Sequence, residues 1–571
     1  MSCTQRGNLR RGPATALVFV LLLLLASCTD SGNNGAGGER SAETSDSNPA
    51  QNADATAPAD DIDGHQRGGK LIVLADTKPV TLDPTRAARP DELAILSLVT
   101  RSLTQYKYDP DSGRMVLVPD LATGLGEPND DLTSWTFTLR AGLTYADGST
   151  VRPADVAYAV KRSFAARELP GGLGHNRDYF VDGNRYRGPY RDGPAYAGVT
   201  VSGDSVTIKM RRPFPDMAYY AATPAFTPIP AEADRRPRRY GMDPLATGPY
   251  EFDSYKPGKR LVLRRNQNWD GDSDPVRHQY PETWDFRFGV NPNAIDELLI
   301  DDEDEAQVTA SYADVQTENY PRALLDGSVG ERLVSGTAPC TDLWQLDMRA
   351  IPSLEVRRAV GLAFPYRQMW RIQGGIEGVT RLPASTILPP GTEGRMPYDV
   401  LGNAGARTEP EAAAALLAAA DRVGFELRID FDRITAGAEQ TRGALTAAFE
   451  KAGFTVATAP TVGDMANVRP GQWCADWPSG SRWFPGAMKS PALLDRPDVD
   501  ARISEISGTL SDADAAQEWG ELDRYIQQTY YPAVTTGYRG RALLHGSRVG
   551  GMTISRVSGM PNFTDMYVER P

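Results

Sequence analysis

Four cysteines and four histidines hold the most distinctive chemistry of this 571-residue chain. Cys3 and Cys28 lie near the N-terminus, while Cys340 and Cys474 lie far apart in the body. No Cys-x-x-Cys pair occurs, and two lone cysteines do not make a zinc site. Cys340 and Cys474 therefore read either as one bridge, the economical choice in an oxidising compartment, or as two buried free thiols. His65, His175, His278 and His545 have no metal-type neighbours in sequence, so no metal is expected. No Gly-x-Ser-x-Gly elbow marks a nucleophile. Gly64, Gly69 and Lys70 have phosphate-loop spacing, but Leu71 stands where Ser or Thr is required and a strand follows instead of a helix. Carboxylates are plentiful but not gathered. No catalytic residue and no cofactor is expected, and an exported hydrolase is a remote alternative.

The N-terminus reads as an address. Arg6, Arg10 and Arg11 precede an apolar run from Ala14 to Leu25 that is short for a membrane span. It ends in Leu25-Ala26-Ser27-Cys28, which looks like the lipobox of a bacterial lipoprotein, with Cys28 as the acylated residue. Losing those three arginines would shift the formal charge from −13 to −16. Two or more acyl chains anchor stably where one does not. Residues 29–68 contain almost no large apolar side chain. With Cys28 they are expected to be a disordered tether spanning roughly 35 Å.

The body is 40% hydrophobic and 24% charged over the whole chain, long enough for two or three domains. The acidic balance, with no basic stripe, argues against nucleic acid as a partner. Residues 70–74 read as a buried strand, and Thr81-Leu82-Asp83-Pro84 as a turn. Helices are expected at 91–103, 153–164, 354–370, 409–420, 440–452, 499–510 and 512–528. Trp135 to Leu139 alternates as a half-buried strand, and 427–431 and 454–456 also read as strands. Hairpins are expected around Ser202-Gly203-Asp204 and between residues 250 and 263. The class is mixed α/β without a repeat.

In order along residues 69–545, the chain resembles the solute-binding proteins of family 5, the oligopeptide- and dipeptide-binding proteins of ABC importers. The matching segments include Gly68-Gly69-Lys70-Leu71, Thr81 to Pro84, Leu103-Thr104-Gln105-Tyr106 and Pro119-Asp120-Leu121-Ala122. The most diagnostic runs from Trp135 through Ser149 into Pro153-Ala154-Asp155-Val156. Further matches are Ala246 to Tyr250, Leu263 to Trp269, Val356 to Val360, Leu388-Pro389-Pro390-Gly391 and Trp473 to Pro478. The resemblance implies a two-lobed clamshell of the periplasmic-binding-protein kind, with an extra inserted domain. Lobe I would comprise 69–105, 230–325 and 540–571, the inserted domain 106–229 and lobe II 326–539, after a leader at 1–27 and the tether at 28–68.

The same resemblance implies the partners: a peptide, a membrane permease and a lipid anchor on the outer face of the membrane, for a monomer. A same-fold lipoprotein that binds another solute or acts as a sensor is the alternative. It implies a Cys340–Cys474 bridge and an ammonium-binding role for Asp476. A carboxylate 4 Å from an ammonium gains about 4 kcal/mol at an effective dielectric near 20. Trp473 and Trp477 would wall the pocket, Ala88 and Arg89 would grip peptide main chain, and Tyr538, on the late strand that returns through the hinge, would be a ligand-binding pocket tyrosine. Arg469 is a candidate for a ligand carboxylate. The chain departs from the family at Ala363-Phe364-Pro365-Tyr366-Arg367, at Asp347, at Pro478-Ser479-Gly480 and in the acidic run 301–305. That run reads as a solvated loop.

Overall fold

The computed structural model describes residues 51–403, 405–431, 437–457, 465–483, 496–508 and 512–570. The expected leader, Cys28 and the first part of the tether lie outside them, as do residues 509 and 510 of one expected helix. No helix among the described residues is long and apolar enough to cross a membrane.

Lys70–Ala75 is the apolar run KLIVLA, and it sits inside a five-stranded sheet ordered Thr309–Ser311, Lys70–Ala75, Thr283–Phe288, Arg260–Arg265, Tyr250–Lys256. It pairs in parallel with both neighbours, with Val73 opposite Phe286. Successive side chains feed opposite cores, as the strand period requires. Leu71 and Val73 join the core under helix Pro90–Val99, and Ile72 and Leu74 join one with Ile295 and Leu299. Ala246-Thr247-Gly248 docks on the end of that helix. Gly248 N donates to Val99 O, and a Cβ there would come within 2.8 Å of Leu98 O.

A second, four-stranded antiparallel sheet has the order Glu127–Pro128, Ser134–Thr138, Ser205–Lys209, Val199–Ser202. Trp135 lies opposite Ile208 and Phe137 opposite Val206, which puts the alternating apolar residues on one face. A third sheet has the order Arg381–Leu382, Ala533–Leu544, Leu333–Leu346, Val468–Cys474, all antiparallel. The two long strands pair from Leu333↔Leu544 to Gln345↔Ala533, with a register shift between Thr337 and Thr341. Leu543 and Leu544 on one side of that shift belong to the cores of the first sheet, and Val534 on the other belongs to a helix-rich core with Leu346.

Three expectations change. The helix expected over 354–370 is two, Leu354–Ala363 and Tyr366–Ile372, because Pro365 lacks an N–H and holds Phe364 extended. The helix expected to reach 103 ends at Val99, where Arg101 N takes Thr247 Oγ1 instead of a helical carbonyl. Residues 51–68 are not part of a disordered tether. Asn52 N donates to Leu117 O, Ala59 N to Asp274 O and Gly68 N to Tyr280 O, while the His65 ring stacks on Tyr280 at 4.5 Å. Backbone pairing lays residues 51–68 on the body despite their polar composition. The acidic run stays largely exposed, with ion pairs along it. Asp301 meets Arg322, Asp302 meets Arg332, and Glu305 meets Arg287 and Lys70.

Two buried charge clusters join distant pieces of chain. Arg162 grips both oxygens of Asp83, at 2.6 and 2.8 Å, and donates to Asp234 at 2.9 Å. Arg101 and Arg277 share Asp120 and Asp274 at 2.8 to 3.4 Å. Burial works against ionised Asp274, but the two arginines outweigh it and hold its carboxyl below the usual range. Arg162→Met would strand Asp83 and Asp234 without their cation. Urea unfolding of this variant should show a loss of about 3–5 kcal/mol, against under about 1 kcal/mol for the exposed Arg185→Met control. Equal losses would contradict the buried role of the cluster.

Candidate functional site

A cavity of about 320 Å³ opens beside helix Pro90–Val99. Ala88, Pro90, Leu93 and Ser97 form one wall, and Tyr106, Met115, Tyr219 and Thr223 another. Pro339, Cys340, Cys474, Ala475 and Asp476 close a third side, and the loop from Ser555 to Thr564 the fourth. The helix wall is fixed from behind. Buried Glu92 accepts from the N–H groups of Val80, Thr81, Ala88 and Arg89, folding the Thr81–Pro84 turn onto the helix that it precedes. The third wall is set by sheet register, since Cys340 lies directly opposite Cys474 and the two are disulfide-bonded.

Asp476 leaves that strand at the cavity. His175 Nε2 lies 2.8 Å from its Oδ2, and Arg482 donates to the same oxygen at 2.7 Å. Neither uses Oδ1. Burial pushes this carboxyl up, but the His175 hydrogen bond and the Arg482 charge pull harder and leave it below its usual value. A neighbouring contact reinforces the junction. Asp216 accepts from Trp477 Nε1 at 2.7 Å, Ser479 Oγ at 3.2 Å and Ser481 Oγ. Burial outweighs these donors and raises the Asp216 carboxyl. Tyr219 donates to Glu393 close by.

The expected site residues divide. Asp476 and Ala88 line the cavity, and so does the cysteine pair. Trp477 does not. It is 1% exposed, plugged into the core of the Ser134–Thr138 sheet by its bond to Asp216. Trp473 packs on the cluster around Ile387 and Trp483 instead. Tyr538 is 3% exposed, its hydroxyl held by Thr386 and Arg395. Arg469 lies outside the cavity, 3.9 Å from Asp347. Arg89 turns to Asp91 at 3.0 Å. Because Glu92 already takes the N–H groups of Ala88 and Arg89, peptide main chain cannot pair with those donors. His175, Arg482 and the loop from Ser555 to Thr564 are contributions that the sequence reading missed. Among the described residues, no cluster of three His, Cys, Asp or Glu suits a metal ion.

Behind the loop wall, Asp565 accepts from Asn562 Nδ2 at 2.7 Å, with His278 at 3.9 Å. Burial raises the Asp565 carboxyl to about 7 and lowers His278 to about 4. A raised acid stabilises the fold fully below its ordinary 3.8 and loses that contribution as pH rises through about 7. Asp565→Asn should therefore gain Tm relative to the unsubstituted protein across that window. A difference that is constant with pH would contradict the shift.

The sequence model described as "Bacterial extracellular solute-binding proteins, family 5 Middle" matches residues 116–496. Among curated proteins, the chain is 28% identical over 209 residues to the "Probable D,D-dipeptide-binding periplasmic protein DdpA" of Escherichia coli K12, covering 35% of this chain and 37% of that one. It is 24% identical over 214 residues to the "Periplasmic murein peptide-binding protein MppA" of the same organism, with the same coverage. The alignments thus span little more than a third of these relatives. The structure named "Clavulanic acid biosynthesis oligopeptide binding protein 2" matches with a TM-score of 0.80 at 25% identity, over 92% of this chain and 100% of that one. DppA from Helicobacter pylori, in complex with peptide STSA, matches at 0.64 and 14%, over 88% and 99%. The fold is the two-lobed α/β clamshell of periplasmic binding proteins.

Proposed function

The chain belongs to the bacterial extracellular solute-binding proteins of family 5, and from that we propose that it captures short peptides in the cavity beside Asp476 and passes them to an ABC permease. Members of the family bind solutes and are not enzymes. The observation that carries the proposal is a largely apolar cavity with one charged lining residue, a carboxylate held ionised and with Oδ1 untouched by its protein partners. An α-ammonium is the natural counterpart. Apolar walls bind small side chains by area without demanding a sequence.

In this reading, residues 69–105, 230–325 and 540–571 act with the insert 106–229 as one jaw, and 326–539 as the other. The buried Arg162 and Arg101–Arg277 clusters support the first grouping, since each ties an inserted residue, Arg162 or Asp120, to lobe I. The paired strands Leu333–Leu346 and Ala533–Leu544 would be the hinge, bending at the register shift near Thr337. The Asp216 and Asp476 junctions, which join the insert to the segment after Cys474, would form on closure. Acylated Cys28 would hold this monomer on the outer face of the membrane.

Asp476→Asn should weaken a free-amine peptide roughly 10- to 100-fold by calorimetry, the span of a charge-assisted hydrogen bond, and barely affect its N-acetylated form. Equal losses would contradict the ammonium role. Denatured mature protein should contain no titratable thiol, because Cys28 is acylated and the other two cysteines are bridged. One thiol per chain would contradict this.

A further inference from the structure

Against the acidic balance of the chain, one short segment is strongly basic. Residues 235–239 read Arg-Arg-Pro-Arg-Arg, and Pro237–Met242 forms a short 3-10 helix. The segment is pinned from inside by a single guanidinium. Arg162 donates to Asp234 at 2.9 Å and to the Pro237 carbonyl at 3.0 Å, and lies over the Tyr240 ring at 5.1 Å. Asp234 and Tyr240 are buried, while Arg235, Arg236, Arg238 and Arg239 are all exposed. Among the described residues, none of these four forms an ion pair, and Arg235 Nε donates only to Glu232 O at 3.1 Å.

Arg235, Arg236 and Arg239 share an open groove with Asp147, Asp243 and Glu251. Asp147 is engaged with Ser149 and Glu251 with Arg264, which leaves Asp243 and the exposed Glu232 against four cations. Like charges held this close repel. The chain has 74 acidic residues, yet too few stand here to offset them. A fixed cluster without internal partners finds its counter-charge outside the molecule. Exposed apolar side chains adjoin it. Met242 ends the same helix, and Gly241 packs on the Thr81–Pro84 turn, where an added Cβ would come within 2.4 Å of Asp83 N. Val80, just before that turn, is 72% exposed.

We propose that Arg235, Arg236, Arg238 and Arg239 form a bilayer-docking face for anionic phospholipid headgroups, with Met242 and Val80 at the interface. The guanidinium fork matches phosphate oxygens in pairs. A bilayer is also the surface in reach. Cys28 lies 23 residues before Gln51, and a chain of that length spans at most roughly 80 Å. Each arginine near an anionic bilayer adds about fivefold to binding, an attraction that fades beyond about 10 Å at 0.1 M salt. Docking would turn the jaw that carries these residues toward the membrane. The inference takes from the proposed function only the acylated Cys28, and it does not depend on what the cavity holds.

The test uses the mature chain with Cys28→Ser, so that no acyl group contributes. It is sedimented with vesicles of phosphatidylcholine alone, or with about one third phosphatidylglycerol. The expected result is binding at least about tenfold stronger to the anionic vesicles at roughly 50 mM salt, lost at roughly 300 mM. Arg236→Gln should lower it about fivefold, and the triple variant Arg236→Gln, Arg238→Gln, Arg239→Gln should reach the phosphatidylcholine level. Tm should stay within about 2 °C, because these side chains have no ion-pair partners to lose. Lys451→Gln, at an exposed helix end of the other jaw, should change nothing. Equal binding to both vesicles, binding to neither, or full binding by the triple variant overturns the inference. Retention on heparin that the triple variant loses, without vesicle binding, would assign the arginines to an acidic polymer and also overturn it. Because the chain tested has no acyl group, a negative result counts against the arginine face and not against the Cys28 anchor.

Discussion

A guanidinium with no access to water must be met by acceptors, and in this protein two clusters that meet it with carboxylates organise the frame. Arg162 is gripped by Asp83 and Asp234, and Arg101 and Arg277 by Asp120 and Asp274. The planar fork accepts few geometries, so each cluster fixes position as well as charge. Asp83 belongs to the turn before the cavity helix, and Asp120 to the segment after a cavity-lining hairpin. Removing one partner from such a cluster costs far more than the cluster contributes against an apolar substitute.

On that frame the cavity sits where several unrelated segments meet. Glu92 pins the helix wall by four backbone N–H groups, and the sheet register brings Cys340 and Cys474 together. The carboxylate of Asp476 is then held ionised by groups from two different stretches, His175 and Arg482. A half-buried charge is steadied by that support, and neither partner uses Oδ1. The same junction carries Asp216, so the contacts that would close the molecule and those that would bind its cargo are neighbours.

Local signals in the chain were good guides to local structure. The alternation of Trp135 and Phe137 produced a strand with both on one face, and the run KLIVLA produced a strand buried on both sides. Asp476, singled out through the family resemblance, lies on the cavity wall. What was not legible depended on contacts far along the chain. Trp477 adjoins Asp476 yet answers to Asp216, 261 residues away, and so leaves the wall for a core. Residues 51–68 have the composition of a free tether, but their N–H groups find carbonyls at Leu117, Asp274 and Tyr280. The loop from Ser555 to Thr564 has no motif at all and reaches the cavity only because the end of the chain packs under helix Pro90–Val99.

The proposed function requires two jaws that close on a solute and release it unaltered. Small-angle X-ray scattering of the mature protein, before and after saturation with a peptide shown to bind, tests this most directly. A reproducible contraction of the radius of gyration on binding, reversed when the peptide is removed, is the predicted result. A scattering profile unchanged at full occupancy would contradict it.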